Sequence, residues 1–303
     1  MDRFYHIRRR IDRSQGLGYN ARVTIIALLT DFGDLDPYVG IMKGVIHGIA
    51  PEARVVDLTH NVPPQDIRRG AYALYLSAPY FPPETVYLCV VDPGVGGARR
   101  PIAVATDRGI FVGPDNGLFT YIYTSYDVRA VVELAESRYR LAKVSHTFHG
   151  RDIFAPAAAH LARGVAVESF GPPVIDPVRF ALPRLEEHGP GHLHAEVLHG
   201  DHFGNIATSI GWLRWVGDDT LGLTPWIRGG ATPHRFRASR AMVSLGPYGP
   251  FPIRRTFADA AERERIAIVG SDSHLYIVIN RGNAAEAMRA HPGDEVIFEA
   301  ERD

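Results

Sequence analysis

Apolar strand patterns alternate with helix patterns near the start of this chain, and this alternation constrains the fold more than any other feature. Val23 to Thr30 predicts a buried strand, and apolar side chains recur at helical spacing from Pro37 to Ala50. A second strand is predicted from Arg54 to Leu58, and a helix capped by Asp66 from there to about Ala78. This order favours an α/β domain with a mainly parallel sheet.

A third strand is predicted from Val86 to Val91, a run rich in β-branched and aromatic residues that is typical of a fully buried strand. Asp92 is the first charge after it, and the glycines that follow permit a close backbone approach to a ligand. Ligands of open α/β sheets bind beyond these carboxyl ends. Arg99 replaces the third glycine of a dinucleotide fingerprint, and another strand follows it, so that cofactor is excluded.

Asp31 closes the first strand as Asp92 closes the third, so a parallel sheet brings two carboxylates to one edge. An acid in this position accepts both hydroxyls of a ribose. The alternative is that Asp31 caps the helix near Pro37 or the turn before it, although Asp36 is the better N-cap candidate. The residues alone leave both roles open.

The pattern changes along the 303 residues, whose number suggests about two domains. Two more strands, a short helix and a clear helix are predicted up to Ala162, and the segment 171–191 is too rich in proline for a regular element. Beyond it, short strand patterns follow one another without helices between them. We expect a flexible basic extension (1–22), an N-terminal α/β domain (23–170), a linker (171–191) and a smaller all-β, barrel-like domain (192–303).

Composition argues against several classes of partner. The 33 basic and 34 acidic residues nearly balance, which gives no reason to expect a nucleic acid partner. No apolar stretch approaches the roughly 20 residues needed to span a membrane, and residues 1–22 lack the apolar segment of a secretory signal. The single cysteine, Cys89, lies in an apolar run, so we expect a buried thiol and a cytoplasmic protein.

Two histidine-rich segments are candidates for chemistry. In Ser145 to Asp152 (SHTFHGRD), His149 is placed to act as a base or a hydrogen-bond donor, or else is a turn histidine, whereas Arg151 and Asp152 are expected to have a structural role. On a strand, His192, His194 and Glu196 share one face, which is either a zinc or iron site or a solvated surface.

A last candidate lies in the second domain. The segment Asp201 to Asn205 (DHFGN) combines a turn glycine with two short polar side chains that can present hydrogen bonds to a ligand.

Five motifs together resemble the S-adenosyl-L-methionine hydroxide adenosyltransferases, the relatives of fluorinase and chlorinase that hydrolyse S-adenosylmethionine. They are TDFG at Thr30, DPGVG at Asp92, VGPDNGL at Val112, TFHGRDIFAPAAAHLA at Thr147 and DHFGN at Asp201. The resemblance runs from about Val23 to the C-terminus. It implies an α/β domain, a β-barrel domain and a homotrimer that binds S-adenosylmethionine where subunits meet, without a metal or other cofactor.

The resemblance also implies roles for individual residues. The hydrolases of the family carry an acid, an arginine and a histidine that fall here on Asp92, Arg99 and His149 as the catalytic set. Substrate-binding positions of the family fall on Asp31 (ribose), Asp36, Tyr38, Val95, Thr147, Gly150, Asp201 (methionine ammonium), Phe203, Asn205 (adenine), Phe257 and Ser271.

Three residues depart from the family pattern. Asp272 and His274 are unusual at their positions, and Tyr276 stands where an acid is expected. The implied activity is attack of an activated water on C5′ of the ribose, which releases adenosine and methionine. Two hypotheses from other classes stand beside it: a nucleoside-binding module without turnover, and a metalloenzyme built on His192, His194 and Glu196.

Overall fold

The computed structural model describes residues 24–189, 191–226 and 233–302, which form two compact units. Unit 1 combines the described residues up to Gln65 with Phe81–Pro114 and Val128–Ile175. Unit 2 combines Asp66–Tyr80, Asp115–Asp127 and the described residues from Asp176 onward. The predicted flexible extension, 1–22, lies outside the described residues, and the predicted domain boundaries stay a prediction.

Five α-helices and sixteen strands are described in these residues. The helices are α1 Tyr38–Ile49, α2 Ile67–Ser77, α3 Thr120–Ser125, α4 Ala155–Ala162 and α5 Ala284–Ala287. The strands are β1 Ile25–Thr30, β2 Arg54–Thr59, β3 Val86–Val90, β4 Pro101–Thr106, β5 Gly109–Pro114, β6 Val128–Glu133, β7 Leu185–Glu187, β8 His192–Gly200, β9 Ile206–Gly211, β10 Leu213–Trp215, β11 Thr220–Leu223, β12 His234–Leu245, β13 Tyr248–Arg254, β14 Arg265–Val269, β15 His274–Ile279 and β16 Glu295–Arg302. No described helix is long and apolar enough to cross a membrane.

Unit 1 is built on a six-stranded sheet in the order β2-β1-β3-β5-β4-β6. Strands β1, β2, β3 and β5 are parallel, whereas β4 runs antiparallel to both of its neighbours. All residues of β3 are buried, which explains its uninterrupted apolar sequence. Thr30 pairs with Val90, so the segments after β1 and β3 leave the sheet side by side at one edge. The predicted mainly parallel α/β architecture is confirmed.

The core of unit 1 explains the helix positions. Val39, Met42 and Ile46 recur at helical spacing on α1 and are buried against the sheet residues, together with the alanine-rich face of α4. Cys89 is fully buried in β3, and burial raises the pKa of its thiol, as expected for a structural cysteine.

Unit 2 contains a closed β-barrel. Seven strands pair in the cyclic order β12-β13-β14-β15-β9-β8-β16, and β16 closes the ring by pairing with β12. Strands β10 and β11 extend the sheet from β12, and β7 pairs with β8. The alternating burial along β8 and β12 places apolar side chains inside the barrel. This confirms the predicted β-barrel.

The helices α2 and α3 belong to unit 2. Asp66 caps α2 as predicted, because its Oδ1 accepts the backbone N–H of Arg69 at 2.9 Å. Asp36 does not cap α1, so that prediction is wrong. The N-cap position is Pro37, and no side chain accepts a hydrogen bond there.

Candidate active site

Asp92 and Arg99 form a buried ion pair just beyond the end of β3. Their side chains are 5% and 9% exposed. Arg99 Nε donates to Oδ1 of Asp92 at 2.9 Å and to Oδ2 at 3.1 Å, and Arg99 Nη2 also donates to Oδ2. A bidentate contact of this kind fixes the guanidinium plane as well as its position.

His149 joins this pair through its ring. Arg99 Nη2 lies 2.7 Å from His149 Nδ1. A guanidinium only donates hydrogen bonds, so Nδ1 is the acceptor, and the neutral imidazole carries its proton on Nε2. The structure therefore brings together the three residues of the predicted catalytic set.

The environment keeps His149 neutral. Burial and the neighbouring Arg99 cation lower the pKa of His149 below its ordinary value, against the opposing effect of Asp92 and Asp152. Arg99 also stacks over the ring of Phe154, at 5.2 Å from its centroid, which fixes the far side of the guanidinium.

Asp152 organises the loop that carries His149. Its carboxylate is fully buried and accepts hydrogen bonds from Arg151 Nε at 2.6 Å, Ser145 Oγ at 2.7 Å and Ser145 N at 2.8 Å. Burial raises the pKa of Asp152, but the bonds from Arg151 and Ser145 outweigh it, so the pKa lies below its ordinary value. The expected structural role of the Arg151 and Asp152 pair agrees with these contacts, although Asp152 is not at the surface.

Gly96 lets the turn after β3 pack closely against the loop that carries His149. Its φ is +76°, and a Cβ added there would lie 2.2 Å from the carbonyl oxygen of His146. Only glycine tolerates both conditions. The close approach expected from the glycines of this turn is therefore, at Gly96, an approach to the backbone of the histidine loop.

Three aromatic rings pack together beside the loop that carries His149. Tyr38 packs edge-on against Phe32, with ring centroids 5.9 Å apart, and against Phe148 at 5.3 Å. A Cβ at Gly150 would lie 3.2 Å from the sulfur of Met42 and crowd this cluster. Asp31 does not cap α1, because its Oδ2 accepts the backbone N–H of Gln65 at 2.8 Å.

The remaining predicted positions of unit 1 are accessible. Asp36 and Thr147 are exposed, and Asp31 and Val95 are half-buried. Asp31 follows β1 and Asp92 follows β3, so these two acids lie at the same edge of the sheet, as the sequence predicts.

The DHFGN segment of unit 2 is a turn closed by its own acid. Asp201 Oδ1 accepts the backbone N–H groups of Phe203 at 2.8 Å and Asn205 at 2.9 Å, and Oδ2 accepts the Asn205 amide at 2.9 Å. The ring of Phe203 is 75% exposed, so it is available to a ligand. Phe257 and Ser271 are also exposed in unit 2.

The residues that depart from the family pattern form a network of their own in unit 2. Asp272 Oδ2 accepts the hydroxyls of Tyr276 at 2.7 Å and Tyr72 at 3.0 Å. His274 is fully buried, and burial lowers its pKa. The sequence marks Asp272 and Tyr276 as unusual but does not reveal Tyr72, which is 200 residues away from Asp272.

The histidine row of β8 shares one face, as predicted, but does not form a metal site with its neighbours. His192 and His194 lie against acids of β16, with His194 Nδ1 3.1 Å from Glu295 and His192 Nδ1 3.4 Å from Glu299. In the part of the chain that the structure describes, no group of three or more histidine, cysteine or acidic side chains is arranged to hold a metal ion.

The geometry of unit 1 supports chemistry on water. Arg99 supplies a permanent positive charge, Asp92 keeps lone pairs that Arg99 does not use, and a neutral imidazole completes the set. A water held beside the carboxylate is then close to both a proton acceptor and a cation.

Comparisons with known proteins place the chain in a family. The chain matches the SAM hydroxide adenosyltransferase N-terminal domain over residues 26–171 and the C-terminal domain over residues 195–297. It is 41% identical to an (R)-S-adenosyl-L-methionine hydrolase of Thermus thermophilus, over 88% of this chain and 96% of the relative. A fluorinase of Actinopolyspora mzabensis is 28% identical, over 86% of this chain and 92% of the relative.

Solved structures show the same architecture. A protein of Thermotoga maritima described as an uncharacterized conserved protein superposes with a TM-score of 0.78 at 32% identity, over 90% of this chain and 99% of the other. Family models match both units, and a relative of more than 40% identity spans most of the chain. The chain therefore belongs to the SAM hydroxide adenosyltransferase family.

Proposed function

We propose that this protein hydrolyses S-adenosyl-L-methionine to adenosine and L-methionine. The observation that carries the proposal is the buried contact of Asp92, Arg99 and His149 at the end of β3. The relatives named as (R)-S-adenosyl-L-methionine hydrolases, which are about 40% identical to this chain, support the same reaction.

The reaction is a substitution at C5′ of the ribose. The oxygen of water forms a bond to C5′ while the bond from C5′ to the sulfonium breaks, and the electron pair of that bond stays on sulfur. Methionine leaves as a neutral thioether, so the leaving group needs no proton. The attacking water must lose one proton, and bulk water, with a pKa of about 15.7, does not do so readily.

Asp92 is the proposed proton acceptor. Each of its oxygens accepts from Arg99 and retains lone-pair capacity for a water. The Nδ1 lone pair of His149 is already used by Arg99, and its other nitrogen carries a proton. We therefore assign His149 a positioning role, in which it holds Arg99 in place, while Arg99 stabilises the emerging hydroxide.

We propose the substrate contacts from the positions that the family resemblance implies. Asp31 binds the ribose hydroxyls, with Asp36, Tyr38, Val95, Thr147 and Gly150 around the reacting centre. From the second domain, Asp201 binds the methionine ammonium, Asn205 binds the adenine, and Phe203, Phe257 and Ser271 complete the site.

The same proposal covers assembly and location. We propose a cytoplasmic homotrimer in which substrate binds where subunits meet, with no metal, cofactor, nucleic acid or membrane involved. A neutral leaving group and the permanent charge of Arg99 make a metal unnecessary for this reaction. Turnover that survives an excess of chelator is the expected outcome.

The direct test is to incubate the purified protein with S-adenosylmethionine in heavy-oxygen water. Adenosine and methionine should appear in equal amounts, and mass spectrometry should find the label on the 5′-hydroxyl of adenosine. Asp92→Asn should lower kcat by a factor of about a hundred to ten thousand, the usual contribution of a general base. Asp107→Asn, in the turn between β4 and β5, is the matched control and should keep full turnover.

Two results would contradict the proposal. One is product release no faster than that of Asp92→Asn. The other is label in homoserine or methanol, because water would then have attacked the methionyl Cγ or the methyl carbon of the sulfonium and not C5′.

A further inference from the structure

Unit 2 contains a cavity of about 450 Å³ that none of the positions assigned to the substrate lines. The start of α2, the second half of β8 and two short segments, 181–183 and 292–293, line it. A volume of this size holds a small organic molecule. The proposed reaction gives this cavity no role.

Arg69 is an unpaired cation that lines the cavity. Its guanidinium is half-buried and has no hydrogen-bond or ion-pair partner among the described residues. The acids that influence it, Asp66 and Asp201, act from beyond ion-pair distance. Burial lowers the pKa of Arg69, against the opposing effect of these acids and of Tyr72 and Tyr276.

Arg69 lies in the first turn of α2. The first turn of α2 contains no acidic side chain but two arginines, at the end where the helix dipole is positive. Arg68 is already engaged, because it donates to the carbonyl of Ala181 at 3.1 Å and stacks over Phe180. Asp66 already caps this terminus and also lines the cavity, so an anion in the cavity would be attracted by Arg69.

Glu196 places an unpaired carboxylate on the same cavity. It is half-buried on β8, and within the described ranges no cation or donor contacts its side chain. If Arg69 and Glu196 served only to neutralise each other, they would form an ion pair. They do not, although both line one cavity.

Two polar side chains of mostly buried residues also line the cavity. His199 is 8% exposed and Tyr121 is 3% exposed, and both line the cavity. Neither the His199 ring nor the Tyr121 hydroxyl has a hydrogen-bond partner in the part of the chain that is described. Their polar atoms are not among the sealed, unsatisfied ones of the described residues, so they are accessible from the cavity and available to a polar occupant.

The rest of the wall is apolar, with Leu182, Pro183 and Val197 among the lining residues. We propose that the cavity is a binding site for a small zwitterion, an α-amino acid with an apolar side chain. Its carboxylate pairs with Arg69 at the start of α2, and its ammonium pairs with Glu196. His199 and Tyr121 supply the remaining hydrogen bonds, and the apolar side chain contacts the lining of 182–183.

Calorimetric titration of the full chain with L-leucine tests this site. The probe keeps both charges and an apolar side chain, and it lacks the sulfur of the proposed reaction product. Saturable binding is expected. Two matched probes, 4-methylpentanoate without the ammonium and 3-methylbutylamine without the carboxylate, should each bind at least about tenfold more weakly, which corresponds to about 1.4 kcal/mol.

Variants assign the binding to this cavity. Arg69→Gln and Glu196→Gln should each weaken L-leucine binding at least about tenfold, whereas Arg69→Lys, which keeps the charge, should lose less. Arg214→Gln removes an exposed cation of unit 2 that does not line the cavity, and it should bind like the unchanged protein. If Arg69→Gln does not fold, Arg69→Lys and Glu196→Gln still decide the question.

Three results would overturn the proposal: no saturable binding of L-leucine, equal binding of either single-charge probe, or unchanged binding by both charge-removing variants. Binding of L-leucine does not depend on turnover, so a failure to bind it is distinct from a failure of the proposed hydrolysis.

Discussion

The charged cluster at the end of β3 in unit 1 and the charged cavity of unit 2 differ in how their charges are satisfied. In unit 1, Asp92, Arg99 and His149 satisfy one another, and Asp152 is saturated by hydrogen bonds. In unit 2, Arg69 and Glu196 line one cavity without contacting each other or any other described charge. A paired network holds its groups in one geometry before a ligand arrives, which favours chemistry. Unpaired groups that line a cavity remain free to pair with a ligand, which favours binding.

The strongest test of the paired network is to separate positioning from proton transfer at His149. The oxygen of a glutamine accepts a hydrogen bond from Arg99 but is a very weak base, whereas phenylalanine does neither. His149→Phe should therefore lower kcat about a hundredfold, and His149→Gln should retain most of it. The measurement is kcat for release of adenosine, with KM compared for both variants.

The pH profile gives a second readout for the same residue. The pKa of His149 lies below its ordinary 6.5, so the ring is neutral at neutral pH and becomes protonated only on further acidification. A protonated Nδ1 no longer accepts from Arg99, so kcat should fall on the acid side below pH 6.5. His149→Gln should lose that limb of the profile. Equal losses of activity in both variants would instead make His149 the base.

Much of this paired network could be predicted from the sequence, because its members follow local patterns. The apolar run of β3 predicts a buried parallel strand, and Asp92 is the first charge beyond it. The pairing of Thr30 with Val90 then brings Asp31 and Asp92 to one edge, as the strand order predicts. The contact between Arg99 and His149 needed the family resemblance, because no local pattern connects residues 50 positions apart.

The unpaired charges that line the cavity could not be predicted from the sequence, for a physical reason. Arg69 and Glu196 each look like ordinary charges on a helix and on a strand, and only the tertiary structure reveals that neither has a partner. Strand β13 also escaped prediction, because Pro250 and Pro252 lie inside it and proline normally argues against a strand.

A second prediction measures how firmly the turn after β3 is fixed to the histidine loop. Gly96→Ala places a Cβ against the carbonyl of His146 at a positive φ, whereas Gly164→Ala meets a positive φ of +88° with open space around it. The control should lose roughly 1–2 kcal/mol of stability from backbone strain alone. Gly96→Ala should lose about 3 kcal/mol and lower kcat as well.

Hydrogen exchange of the amides of β1 and β3 reports the stability of unit 1 for both glycine variants. If Gly96→Ala and Gly164→Ala lost the same stability and kept the same kcat, the turn would not depend on the close approach to His146. The paired network would then be less tightly held than the structure indicates.

The prediction with the smallest expected effect concerns His199, which lines the cavity of unit 2. Burial lowers the pKa of His199 from 6.5 to about 3. Between these values the unfolded chain binds a proton that the folded chain does not, so stability falls as pH falls, by about 2 kcal/mol at pH 5 from this group. His274, also buried, acts in the same direction.

All three tryptophans, Trp212, Trp215 and Trp226, lie in unit 2, so urea unfolding followed by tryptophan fluorescence reports this unit. His199→Gln should lose about 2 kcal/mol less than the unchanged protein between neutral pH and pH 5, while His202→Gln, at an exposed neighbour, should keep the full loss. Identical pH dependence in both variants would mean that folding does not lower the pKa of His199.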